Sequence, residues 1–123
     1  MKTRRDILGG EMRFDFEGEQ FRIWFDHRHY PNGLIRYSAW HSKERVVQAV
    51  THCHLQQLVK GEGWETFRLG TSLCAWDDEY NKETGRVIAL RRAIMEWTEN
   101  KHFLWDPKAA RRAAFSAYFN RKR

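Results

Sequence analysis

The stretch ERVVQAVTHCHLQQLVK, residues 44–60, decides the fold. Val46, Val50, Cys53 and Leu58 could line one side of a helix. Val46, Val47, Val50, Thr51 and Val59, however, are β-branched, and such side chains fit a pleated surface better than a helical turn. Val47, Ala49, Thr51, Cys53 and Leu55 also recur at every second position, the period of a strand with one covered face. Residues 44–60 are therefore read as a strand. KGEG (60–63) then turns it into WETFRLGTSLCAW (64–76), another alternating segment.

Toward the N-terminus, YPNGLIRYSAW (30–40) opens with Pro31-Asn32-Gly33, a strong turn signal because Asn and Gly tolerate positive φ. In MRFDFEGEQFRIWFDHRHY (12–30), Phe14 and Phe16 share one face, and Phe21, Ile23 and Phe25 share another set of alternate positions. Glu17-Gly18-Glu19 is the turn between them. The expectation is an antiparallel meander of about five strands over residues 11–76, preceded by a loose basic arm at 1–10.

Toward the C-terminus the period changes. Val87, Leu90, Ile94 and Trp97 fall at helical spacing, with Asn81 or Asp78 as the cap. WDPKAARRAAFSAYFNRKR (105–123) is a second helix, with Asp106 as N-cap and Pro107 at the first helical position. Ala110, Ala113, Ala114 and Ala117 give it a smooth side, and Phe115 and Phe119 lie one turn apart. With the sheet first and two helices over 81–121, the 123 residues read as one α+β domain.

Composition narrows the function. The chain carries 22 Lys and Arg against 16 Asp and Glu, a net +6, with six Trp and eight Phe. A basic surplus of that size favours anionic partners, such as nucleic acid, nucleotides or acidic lipid, without choosing among them, and the rings can double as stacking surfaces. Two cysteines make no secreted disulfide framework, and no apolar run reaches membrane-spanning length. A cytoplasmic protein with no membrane partner is expected.

His27 and His29 share a strand face, as do His52 and His54, but Cys53 would point away from its neighbours and no zinc spacing occurs. The nucleophile-elbow, phosphate-loop and dinucleotide-binding glycine patterns are missing too. Asp77, Asp78 and Glu79 are explained by capping and the helix dipole. The chain is expected to bind rather than catalyse, without metal or cofactor.

The candidate site lies where the last strand hands over to the first helix. Gly85 costs roughly 1 kcal/mol against Ala inside a helix, so it has a reason: close packing on the sheet, or approach of a ligand to bare backbone. Arg86 and Arg92, with Trp76, Tyr80 and Asn81 nearby, supply forks for phosphate and rings for a base. Arg111 and Arg112 sit mid-helix opposite the alanine side. The terminal Arg121, Lys122 and Arg123 read as solvated charge.

The run LGTSLCAWDDEYNKETGRVIALRRA (69–93) reads as a strand, then D-x-x-Y-N, then G-R-x-I-A-x-x-R-A, and resembles a pattern of small phage-encoded proteins. Within that set, the sheet-then-helices order is similar to the phage Thoeris anti-defence family, sponges that sequester cyclic ADP-ribose isomers. Tyr80 and Arg91 depart from the commoner phage pattern, standing where Phe and often Gly are expected. The resemblance implies a homo-oligomer built from dimers, working in an infected bacterial host, with a non-catalytic pocket between protomers. An aromatic would take adenine and arginines the diphosphate.

Two other readings stand beside it. One is a single-stranded nucleic-acid binder stacking bases on Phe21, Trp24, Tyr37 and Trp40. The other is a protein that blocks a bacterial nuclease defence such as CRISPR-Cas. The direction in which Trp24, Tyr37 and Trp40 point separates the first of these from the sponge.

Overall fold

The computed structural model describes residues 12–38 and 43–121, with side chains at 12–35 and 46–121. The basic arm and Trp40 lie outside the described residues, as does the side chain of Tyr37. Four strands, β1 (Arg13–Phe16), β2 (Glu19–Ser38), β3 (Lys43–Val59) and β4 (Gly63–Ala75), form one antiparallel sheet in chain order. Two helices follow, α1 (Lys82–Thr98) and α2 (Pro107–Phe119). The α+β class and the element order are as expected, and the stretch that decides the fold is the strand β3.

The strand count is four where about five were expected. Pro31-Asn32-Gly33 does not reverse the chain. It sits inside β2, where the register jumps from His29↔Ala49 to Leu34↔Val47. The additional residues bulge out, Gly33 takes the left-handed φ of 80°, and the strand continues on the same partner. A side chain at Gly33 would also meet Val46 at 2.9 Å and the Trp76 ring at 3.5 Å. The true reversal before it is Glu17-Gly18, with φ of 51° and 76°, the paired positive values of a tight hairpin turn.

Pleating divides the sheet into two faces. Phe21, Ile23 and Phe25 of β2 and Cys53 and Leu55 of β3 point to the helices and are buried. Trp24, Asp26, His52 and His54 point the other way. The inner face is closed by Ala89, Leu90, Ala93, Ile94 and Trp97 of α1 and by Ala110, Ala114 and Tyr118 of α2. Trp97 is the hub: its ring lies 5.3–6.4 Å from those of Phe14, Phe16, Phe21, Phe67 and Phe103.

Both caps follow the sequence. The Asn81 side chain accepts from the Thr84 N–H at 3.0 Å, and that of Asp106 accepts from Lys108 N–H at 3.0 Å. Gln48 Nε2 donates to the carbonyls of Ala75 (3.1 Å) and Asp78 (2.6 Å), holding the link between β4 and α1 against β3.

The helix seats on the sheet at Gly70. A Cβ there would fall 2.0 Å from the Ala89 carbonyl oxygen and 2.5 Å from the Ala93 nitrogen, both backbone atoms. At Gly85 a Cβ would meet side chains, not backbone: the Thr51 hydroxyl at 2.9 Å, with Thr51 Cβ at 3.6 Å and Ser72 Oγ at 4.0 Å. The two glycines should therefore respond differently to alanine. Gly70→Ala forces the helix off the strand and is expected to cost about 3 kcal/mol or more. Gly85→Ala regains roughly 1 kcal/mol of helix propensity while displacing a side chain, so its net change is expected to stay within about 1 kcal/mol. Urea unfolding of both variants checks this; equal losses would contradict the seating at Gly70.

Candidate functional site

The sequence-selected residues divide along α1. Trp76, Tyr80, Asn81, Gly85 and Arg86 gather at its start. Arg92, exposed, donates from its Nη1 to the Thr71 carbonyl at 2.7 Å, on the flank of β4. Arg111 donates from Nε to Thr98 Oγ1 at 2.8 Å, at the far end of α1. Arg86 and Thr98 are separated by roughly 18 Å of helix. Arg112 is exposed. Within one chain these eight residues line no common pocket.

Arg86 is the centre of what does assemble. Its Nε–H donates to His27 Nε2 at 3.3 Å, and its guanidinium lies 5.5 Å from the Phe25 ring centroid. A guanidinium only donates, so His27 Nε2 is the acceptor and the ring proton sits on Nδ1. That proton is then directed to Thr51 Oγ1, 3.0 Å away. Gly85 faces this same hydroxyl, so the packing reading of Gly85 fits the geometry. Its missing side chain lets α1 approach Thr51, which brings Arg86 within reach of His27.

Tyr80 completes the group. Its ring meets His29 edge-on at 4.9 Å, and its hydroxyl is buried without a partner among the described residues. Burial pushes the Tyr80 phenol up, and the Arg86 charge partly counters this. Among the described residues no carboxylate forms an ion pair with Arg86. Asn81 is occupied as the cap, and Trp76 is half exposed beside the Gly33 bulge.

Sequence reasoning missed the neighbouring network. Tyr118 O–H donates to Glu83 Oε1 at 2.8 Å, and Arg121 Nη2 donates to the same oxygen at 3.0 Å. Arg121 also lies 3.9 Å over the Tyr118 ring. Rather than being solvated terminal charge, it ties the end of α2 to the first turn of α1. No local signal pointed to this, since the neighbour that helical spacing offers Glu83 is Arg86, three residues on.

At the other end of α1 a cleft of about 350 Å³ is lined by Phe16, Phe21, Phe67, Trp97, Phe103 and Trp105, with Arg68 at its polar side. The histidines are distributed by the pleat: His27 and His29 toward α1, His52 and His54 on the outer face, with Cys53 buried between them on the inner one. Among the described residues no three His, Cys, Asp or Glu side chains converge as a metal-holding group, and no helix is long and apolar enough to cross a membrane. No family model, curated protein or solved structure matches the chain.

The Tyr118 phenol is raised above its ordinary value, first by burial and then by its bond to Glu83, with Arg121 pulling the other way. A raised folded value means its stabilising contribution is intact below about pH 10, where the phenol is protonated in both states. It is lost as pH climbs from there toward the folded value, because the unfolded chain ionises first. Stability should accordingly fall above about pH 10, and Tyr118→Phe should flatten that fall while lowering stability near neutrality. Urea midpoints measured across the alkaline range check both; an unchanged alkaline slope in the variant would contradict the assignment.

Proposed function

We propose that the protein binds a phosphate-bearing nucleotide without transforming it, acting as a counter-defence sponge for a signal of the cyclic ADP-ribose isomer class. The observation that carries this reading is Arg86: a half-buried guanidinium with no carboxylate partner among the described residues, beside a buried Tyr80 hydroxyl that also lacks one. A half-buried charge without a counterion is costly, and an arriving phosphate would supply both the charge and the acceptors it lacks. His27, held by Thr51, fixes one side of the fork and leaves the terminal nitrogens to the ligand.

Self-association would complete the site. Ile35 and Val46 are cross-strand neighbours, 65% and 47% exposed, and Trp76, 51% exposed, bonds through its backbone N–H to the Val46 carbonyl. They form a continuous apolar patch at the end of α1 that carries Arg86, suited to pairing with a second copy. The proposed assembly is a homo-oligomer built from dimers, with Trp76 offering its ring to the base.

Calorimetric titration of cyclic ADP-ribose isomers tests the reading. Arg86→Gln keeps the stem on Phe25 and removes the charge; it should weaken binding by about ten- to a hundred-fold, the worth of one charge-assisted contact. Trp76→Ser should lower both affinity and oligomer mass by light scattering. A wild-type protein that is strictly monomeric and takes up no isomer would sink the proposal.

A further inference from the structure

The sheet's outer face carries an arrangement that folding alone does not account for. Register sets Arg13 of β1 directly opposite Arg22 of β2. Both guanidiniums lie over one ring, that of Trp64 at the start of β4, at 5.3 Å for Arg13 and 4.6 Å for Arg22. Like charges facing each other across a strand pair are destabilising. Burial, and then the charge of Arg13, hold the Arg22 guanidinium below its ordinary pKa. Among the described residues no carboxylate forms an ion pair with either one, although Asp15 and Asp26 stand on the same face.

Arg22 is also aimed. Arg22 Nε donates to Gln56 Oε1 at 2.6 Å, and Gln56 Nε2 donates to Thr66 Oγ1 at 3.0 Å. Gln56 is only 9% exposed, so Arg22 is fixed from beneath while its terminal nitrogens stay unengaged by described residues. Two positions along β2 on the same face is Trp24, its ring 4.3 Å from that of His54. His54 is held in turn by Asp26 at 3.1 Å. No described helix covers this face.

We propose that the outer face binds single-stranded nucleic acid, Arg13 and Arg22 together taking a backbone phosphate while Trp64 and Trp24 offer surfaces to unstacked bases. A phosphate between two facing guanidiniums removes their repulsion and accepts from both forks. Rings set on a strand serve only bases free of a partner strand, which selects the single strand over the duplex. The site is separate from Arg86 and does not depend on the nucleotide reading.

Fluorescence anisotropy of a labelled oligothymidylate and of a mixed-sequence duplex, over a salt series, tests it. Wild type should bind the single strand more tightly than the duplex. Arg13→Ala with Arg22→Ala should weaken single-strand binding at least about tenfold and flatten its salt dependence by one to two contacts, at about 0.7 in logarithmic slope each. Arg13→Lys with Arg22→Lys keeps charge and fold and should retain most of the slope while losing affinity; it stands in if the alanine pair does not fold. Arg86→Gln should leave this binding unchanged. Binding of the alanine pair within twofold of wild type, preference for the duplex, or failure of wild type to bind would overturn the proposal. So would a wild type that binds phosphatidylserine vesicles but no oligonucleotide, or an alanine pair that alters oligomer mass and nothing else.

Discussion

The close approach of α1 to β4 at Gly70 sets the rest of the molecule. With Ala89 and Ala93 on the facing helix surface, backbone lies nearly against backbone, as the 2.0 Å and 2.5 Å hypothetical Cβ distances require. A helix held that close cannot place large side chains at the crossing. Leu90 and Ile94 pack beside the crossing rather than at it, and the rings gather toward the ends. Trp97 and the phenylalanines fill one, and Arg86, Tyr80 and Tyr118 occupy the other. On either side of this contact the ends of α1 are chemically distinct, an aromatic cleft at one and the arginine site at the other.

A second close approach, at Gly85, serves Arg86 beside it. Gly85 carries the close seating back toward the helix start, over Thr51. The Thr51 hydroxyl is thereby free to bond His27, and His27 accepts from Arg86. A larger residue at 85 would press on the hydroxyl that orients the histidine. Packing and positioning are here one arrangement seen from two sides, so the choice between a packing glycine and a ligand-approach glycine does not divide as sharply as the sequence suggests.

Much of the fold was legible because the strongest signals were local or periodic. The alternation through Val47, Ala49, Thr51, Cys53 and Leu55 gives β3, and Asp106-Pro107 gives the start of α2. Pro31-Asn32-Gly33 misled for a physical reason. Positive φ at a glycine serves a bulge as well as a reversal, and only the partner strand, continuous from Val47 to Ala49, decides which it is. The site was legible in part. Arg86 and Tyr80 come together because sequence neighbours on a helix start remain neighbours in space. Arg111 fell away because α2 runs back along α1, with Arg111 beside Thr98 at the far end and Arg121 beside Glu83 at the start, which no local pattern encodes. Arg121 was misread because its partner, Glu83, lies 38 residues away.

The +6 surplus is not spread evenly in its effects. Arg92, Arg111 and Arg121 each donate to a fixed acceptor, a strand carbonyl, a threonine hydroxyl and a carboxylate in turn. These arginines join elements and would hold the same geometry with or without a ligand. Arg86, Arg13 and Arg22 differ in kind. Each is packed on a ring or steadied by a neutral group, Phe25 and His27 for the first, Trp64 and Gln56 for the others, and none has a counterion among the described residues. Rings and amides orient a guanidinium without neutralising it. A surface meant only for solubility would gain nothing from that, since a freely hydrated lysine serves as well and loses less side-chain entropy. Arg86 and Arg22 are half-buried as well as oriented, on opposite faces of the sheet, and charge partly desolvated in this way gains more from an arriving anion than a freely hydrated one does.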